Sequence, residues 1–131
     1  MPRKLPALTA DNHSFWQGGR NGELLIHRCE ACKRYFHPPS PICPTCTSFE
    51  VAPQRVSGKG KIASFTINHP PWTPDLTAPF VIAIVELQEQ KELRFVTNIE
   101  DTPPEQVQIG MKVRVRFQQE NDVWLPLFVK D

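Results

Sequence analysis

Four cysteines stand in two matched pairs, Cys29-x-x-Cys32 and Cys43-x-x-Cys46, with ten residues between the pairs. Two such knuckles each turn a pair of thiolates toward one point, and together they supply the four sulfurs of a closed tetrahedral zinc site. The flanks agree with this. Cys29-Glu-Ala-Cys32-Lys-Arg and Cys43-Pro-Thr-Cys46-Thr-Ser place small or polar residues where the backbone must turn tightly around a metal. Two disulfides, or a single iron in the same cage, are the competing readings. Disulfides need an oxidising compartment, and nothing in the sequence points to one.

A metal held by four thiolates has no coordination position left for an activated water or a substrate. Its role is then structural: it folds a short segment that buries too little core by itself. All four cysteines are used, so no thiol remains as a nucleophile, and no catalytic residue is assigned.

The other reactive side chains form no comparable pattern. His13, His27, His37 and His69 have neither ligand nor triad spacing. His27 and His37 flank the knuckles, where packing against the site is the expectation. His69-Pro-Pro-Trp72 is a loop that joins a titratable group to an aromatic, a candidate ligand contact. Neither a carboxylate pair nor a Ser–His arrangement emerges from spacing. Gly58-Lys59-Gly60 precedes a strand instead of opening a helix, so it is no dinucleotide fingerprint. A bend or bulge at a barrel corner is its expected use.

Basic residues cluster twice. Arg55, Lys59 and Lys61 form one stretch without an acid, and Lys112, Arg114 and Arg116 share one strand face. Such patches can hold the phosphates of a nucleotide-bearing cofactor or of nucleic acid. The plainer alternative is the solvated face of a half-buried strand, with Glu86, Glu89, Glu92, Glu100 and Asp101 balancing the charge across the sheet.

These residues need a scaffold. A chain of 131 residues, 40% hydrophobic, suits a small metal module joined to one compact domain. The formal charge of +1 argues against a protein that lives on nucleic-acid phosphates. The 14 prolines are about twice the usual share and fall between periodic segments, as strand ends and stiff loops do. The N-terminal Met-Pro-Arg-Lys-Leu-Pro-Ala-Leu lacks the apolar stretch of a signal peptide, and no run is long enough to span a membrane. The expected location is the reducing cytoplasm.

Residues 9 to 20 carry the only helical pattern, capped by Thr9 or Asp11, stopped by Gly18-Gly19, with Phe15 and Trp16 on its apolar face. Core packing is the expectation for that aromatic pair. Leu24 to His27 and Tyr35 to His37 are short strands around the first knuckle. From residue 54 the period becomes two: Ala63, Phe65 and Ile67 form one inward face. Phe80 to Leu87 is almost continuously apolar, as in a strand buried on both faces. Leu93, Phe95 and Ile99 mark a third strand, Val113, Val115 and Phe117 a fourth, and Val123, Leu125, Leu127 and Val129 the last. The expected architecture is mainly β: an N-terminal helical segment (1–21), a rubredoxin-like zinc ribbon (22–50) and a five-stranded OB-fold barrel (51–131), with strands of about 5–8 residues.

One series of motifs now stands out: Phe15-Trp16, Gly22-Glu23-Leu24, the two knuckles, Phe36-His37-Pro38-Pro39, Ser57-Gly58, Pro79 to Glu86, and Ile109-Gly110-Met111. Over about residues 9 to 130 this order resembles the zinc-ribbon plus OB-fold family known as domain of unknown function 35, which is linked to acyl-CoA metabolism. The resemblance implies a non-catalytic accessory subunit of a thiolase-superfamily enzyme (a thiolase, aldolase or acyltransferase), which braces its partner and helps hold acyl-CoA. It implies zinc ligation by Cys29, Cys32, Cys43 and Cys46. A coenzyme A thioester would then meet Arg55, Lys59, Lys61 and Trp72, since its phosphates and adenine suit basic and aromatic side chains. The chain departs from the family after Glu86, where Gln88-Glu89-Gln90-Lys91-Glu92 replaces a common glycine turn. A nucleic-acid-binding ribbon and barrel is the alternative function, and an iron-bearing electron carrier a third.

Overall fold

The computed structural model describes residues 5–69 and 78–131. The N-terminal segment is tied by a reciprocal turn: the Thr9 N–H donates to Asn12 Oδ1 at 2.7 Å and the Asn12 N–H to Thr9 Oγ1 at 3.1 Å. Helix α1, His13–Gln17, follows and continues as a 3₁₀ turn over Gly18–Asn21. The sequence pattern placed a longer helix here, stopped by Gly18-Gly19. Instead the helical path ends at Gly22, at φ +71, which receives it in the left-handed region where glycine is favoured. Gly19 has another use. A Cβ there would lie 2.5 Å from Trp124 Cβ, so the missing side chain lets the turn pack against the barrel.

Strands β1 (Leu24–Cys29), β2 (Tyr35–Phe36) and β3 (Val51–Val56) form an antiparallel sheet in the order β2-β1-β3. β3 pairs along all of β1, from Leu24 opposite Val56 to Cys29 opposite Val51. Gly58, at φ +78, makes the corner into the barrel. The barrel comprises β4 (Lys59–Asn68), β5 (Phe80–Leu87), β6 (Arg94–Glu100), β7 (Lys112–Glu120) and β8 (Val123–Lys130). It closes in the order β4-β5-β6-β8-β7, antiparallel except for β6 beside β8. This is the five-stranded barrel expected from the periodicity, and the family's fold. β4 and β7 are longer than expected, at 10 and 9 residues.

Three details depart from the pattern reading. Ala63 does not face the core. The β4–β5 register shifts between Ile62 and Ser64, so Ala63 is the extra residue of a bulge and Ile62 is buried in its place. β5 is not buried on both faces: Val81, Ala83, Val85 and Leu87 point inward, while Ile84 is 38% exposed. The strand covered on both sides is β8. Phe128 lies in the barrel core, whereas Val123, Leu125 and Leu127 lie beneath Leu5, Leu8 and Trp16 of the N-terminal segment.

One continuous core joins the two units. Leu24, Ile26 and Val56 of the small sheet pack with Val81, Val85, Phe95 and Phe128 of the barrel, and Phe15 of α1 lies among them. Phe15 is buried and Trp16 half-buried, so the aromatic pair packs as expected.

Candidate metal centre and its surroundings

The two knuckles share one backbone design. In the first, the Lys33 N–H donates to the Cys29 carbonyl at 2.8 Å and the Cys29 N–H to the Arg34 carbonyl at 2.9 Å. In the second, the Thr47 N–H donates to Cys43 O at 3.0 Å and the Cys43 N–H to Ser48 O at 2.9 Å. Each turn requires positive φ at the residue after its second cysteine, +65 at Lys33 and +63 at Thr47. The sequence offered no glycine to mark these positions. A β-branched threonine in that region is strained.

Main-chain amides aim at the sulfurs. The Cys32 N–H lies 3.4 Å from Cys29 Sγ, and the Thr45 and Cys46 N–H groups lie 3.4 and 3.5 Å from Cys43 Sγ. Donation by the Cys46 and Thr45 amides pulls the Cys43 thiol down to about 6, and the Cys32 amide lowers that of Cys29. Both residues are fully buried. Main-chain donation thus favours thiolates at these two positions, while contact with the Cys29, Cys32 and Cys43 sulfurs holds the Cys46 thiol up.

The four Sγ atoms all lie within 4.8 Å of one another, with Cys29–Cys46 at 3.5 Å and Cys32–Cys43 at 3.7 Å. Sulfurs on a tetrahedral zinc with Zn–S bonds of about 2.3 Å are roughly 3.8 Å apart, while a disulfide brings them to about 2.05 Å. The cysteines are free and positioned around a metal-sized centre. The donor set fits a metal, with all four positions filled by sulfur.

The flanking histidines pack and do not ligate. His27 is buried on β1 with its ring 5.8 Å from Phe36. His37 packs its ring at a tilt against Phe15 at 4.7 Å and Phe95 at 5.6 Å, at the junction of helix, ribbon and barrel. Burial, reinforced by His27, pushes its imidazole down to about 4.

The residues expected to meet coenzyme A separate. Lys59 and Lys61 line one open cleft of about 570 Å³ on the barrel. Arg55 is exposed on β3 opposite Leu25, outside the residues lining that cleft. Trp72, with the Pro70-Pro71 part of its loop, lies outside the described residues. Lys91 and Lys112 complete the cleft's cations. In sequence Lys112 belongs to the second basic cluster, with Arg114 and Arg116, and Lys91 to the turn after Glu86. No local signal unites them, because strand pairing does.

The comparisons with known proteins agree with this architecture. Residues 16–52 match the family model described as ChsH2, rubredoxin-like zinc ribbon domain, and residues 53–118 match ChsH2, C-terminal OB-fold domain. A probable enoyl-CoA hydratase alpha subunit of Thermomonospora curvata is 36% identical over 96% of this chain. A DUF35 domain-containing scaffold protein of Methanocaldococcus jannaschii is 40% identical over 73% of it. The chain spans 39% of the length of the hydratase subunit and 68% of the scaffold protein. Among solved structures, a chain of the Ltp2-ChsH2(DUF35) aldolase superposes with a TM-score of 0.85 at 35% identity, covering 96% of this chain and 98% of that one.

Proposed function

This chain belongs to the ChsH2 family of paired zinc-ribbon and OB-fold domains, and on that premise we propose that it is a non-catalytic accessory subunit of an acyl-CoA enzyme. The partner is of the thiolase superfamily: a thiolase, aldolase or acyltransferase that carries the reacting groups. This chain stabilises the partner and helps hold the acyl-CoA. The observation that supports the proposal most is the superposition, over 96% of this chain and 98% of the other, on a chain of the Ltp2-ChsH2(DUF35) aldolase.

Two local features support it. The metal cage employs every thiol of the chain, and zinc held by Cys29, Cys32, Cys43 and Cys46 supplies closure of the ribbon instead of a reactive site. The reducing cytoplasm keeps those thiols available. The outer face of β5 and β6 carries an exposed apolar pair between Asn98 and the Glu86–Arg94 ion pair: Ile84 sits opposite Val96, which is 65% exposed. Exposed apolar pairs of this kind mark surfaces that partners cover.

The test is capture of the tagged chain from its native cells, followed by an assay of what co-purifies. The expected result is an acyl-CoA enzyme whose activity falls when this chain is stripped away. Full partner activity in its absence sinks the proposal.

A further inference from the structure

We propose that the cleft where β4 meets β7 is a binding site for the diphosphate of a nucleotide. Two basic runs lying far apart in sequence become cross-strand neighbours there. Lys59 pairs with Arg114, and Lys61 with Lys112. Like charges directly opposite one another destabilise an antiparallel pair, and here two successive pairs do so on one face. Lys91 reaches the same cleft from the turn between β5 and β6.

Glu86 and Asp131, which also line the cleft, offset one cation of each pair. Glu86 accepts a 3.0 Å hydrogen bond from Arg94 Nε and lies 4.0 Å from Lys61, and Asp131 lies 3.8 Å from Arg114. Among the described residues, Lys59, Lys91 and Lys112 have no carboxylate within ion-pair distance. A basic composition does not explain the cluster, since the whole chain carries +1. An anion that bridges β4 and β7 would give Lys59, Lys91 and Lys112 the counter-charge that no described carboxylate supplies.

The shape selects the anion. The cations converge from three elements on one cleft of about 570 Å³, within the range of small-ligand sites and unlike the extended stripe of a nucleic-acid track. Among the described residues no aromatic side chain lines it, and what the lining offers is contacts to phosphates. Free nucleoside diphosphates and the nucleotide end of coenzyme A share that chemistry. Naming coenzyme A as the natural source rests on the accessory-subunit proposal, whereas the diphosphate site does not.

The experiment is an NMR titration of the zinc-loaded full chain with ADP, coenzyme A, pyrophosphate and a single-stranded DNA 12-mer, at low and physiological salt. Amide shifts should centre on residues 59–61, 86–91 and 110–112, with pyrophosphate displacing ADP. Coenzyme A binding several-fold tighter than ADP assigns the acyl-CoA source, and equal binding assigns the shared diphosphate. Lys61→Ala with Lys112→Ala should weaken binding at least about tenfold, as expected when two charge-assisted contacts are lost. Lys112→Glu should abolish binding while raising Tm, because it removes one repulsive pair. No shifts at millimolar ligand, binding indifferent to these variants, or DNA bound more tightly than any diphosphate overturns the site. Partner capture is run in parallel with the double-lysine variant. Capture that fails with the wild-type chain counts against the accessory role, and leaves the cleft to be judged by the titration.

Discussion

The side-chain amide of Gln90 bonds twice to the main chain of Tyr35: the Tyr35 N–H donates to Gln90 Oε1 at 2.9 Å, and Gln90 Nε2 donates to the Tyr35 carbonyl at 2.9 Å. A side chain from the barrel's β5–β6 turn thereby acts as one more strand residue beside β2 of the ribbon. The neighbouring Glu89 accepts from the Ser57 N–H at the corner between the two units. The turn Gln88-Glu89-Gln90-Lys91-Glu92 is therefore a clamp between ribbon and barrel.

Gln90→Ala removes both bonds and should cost about 1–2 kcal/mol, with a Tm lower by roughly 4–8 °C. Hydrogen exchange at the Tyr35 amide should accelerate more than exchange within the barrel. An unchanged Tm with unchanged exchange at Tyr35 rules out the clamp.

Cys43→Ser should remove the metal, because a structural zinc site that loses one thiolate forfeits much of its binding free energy. The loss should stay local. Leu24 and Ile26 are buried in a core continuous with the barrel, and β3 pairs along β1 independently of the sulfurs. We expect disorder over both knuckles, residues 29–34 and 43–48, with barrel amides still protected. Stoichiometric zinc retained by the variant contradicts the four-sulfur site.

The metal cage was legible because its determinants are local: four residue types at fixed offsets dictate it whatever surrounds them. Barrel strands were legible through their period of two. What escaped depends on contacts distant in sequence. Val123, Leu125 and Leu127 look like an inward face, yet the inward residue is Phe128, and the N-terminal segment conceals the other side. Phe80 to Leu87 looks doubly buried because β-branched residues fill its outer face, yet no element of the described structure shields Ile84 from solvent. Ala63 deceived for a different reason. A bulge shifts the parity of a strand, and its extra residue carries no composition signal. The cation cleft was hidden for want of register, since only pairing sets Lys61 opposite Lys112.

Thr47→Gly should stabilise the ribbon. Thr47 holds φ +63, where a β-branched side chain is strained and glycine is not. The relief, net of glycine's greater freedom in the unfolded chain, should be about 0.5–1 kcal/mol. Slower zinc loss to a chelator and a higher Tm are the expected readouts. Lys33→Gly, at φ +65 in the equivalent position, should act in the same direction. Faster zinc loss in both variants contradicts the strain assignment.

His37 should make the junction of helix, ribbon and barrel sensitive to acid. Its folded-state value is held down at about 4 by burial between Phe15 and Phe95, against an ordinary value of 6.5 in the unfolded chain. Between those values the unfolded chain takes up a proton that the folded protein refuses. The stabilisation is therefore complete above pH 6.5 and declines as pH falls toward 4, by up to about 2–3 kcal/mol for a ring this buried. His37→Phe keeps the aromatic packing and deletes the titration, so its stability should fall less steeply over that window. His27 is the neighbouring charge that adds to the effect, and it is present in both proteins. Acid also competes for the cysteine thiolates, so zinc content is followed in the same samples and the quantity compared is the difference between the two proteins. Parallel stability curves from pH 7 to 4.5 would mean that His37 is already protonated in the folded protein, or that the junction opens before the proton arrives.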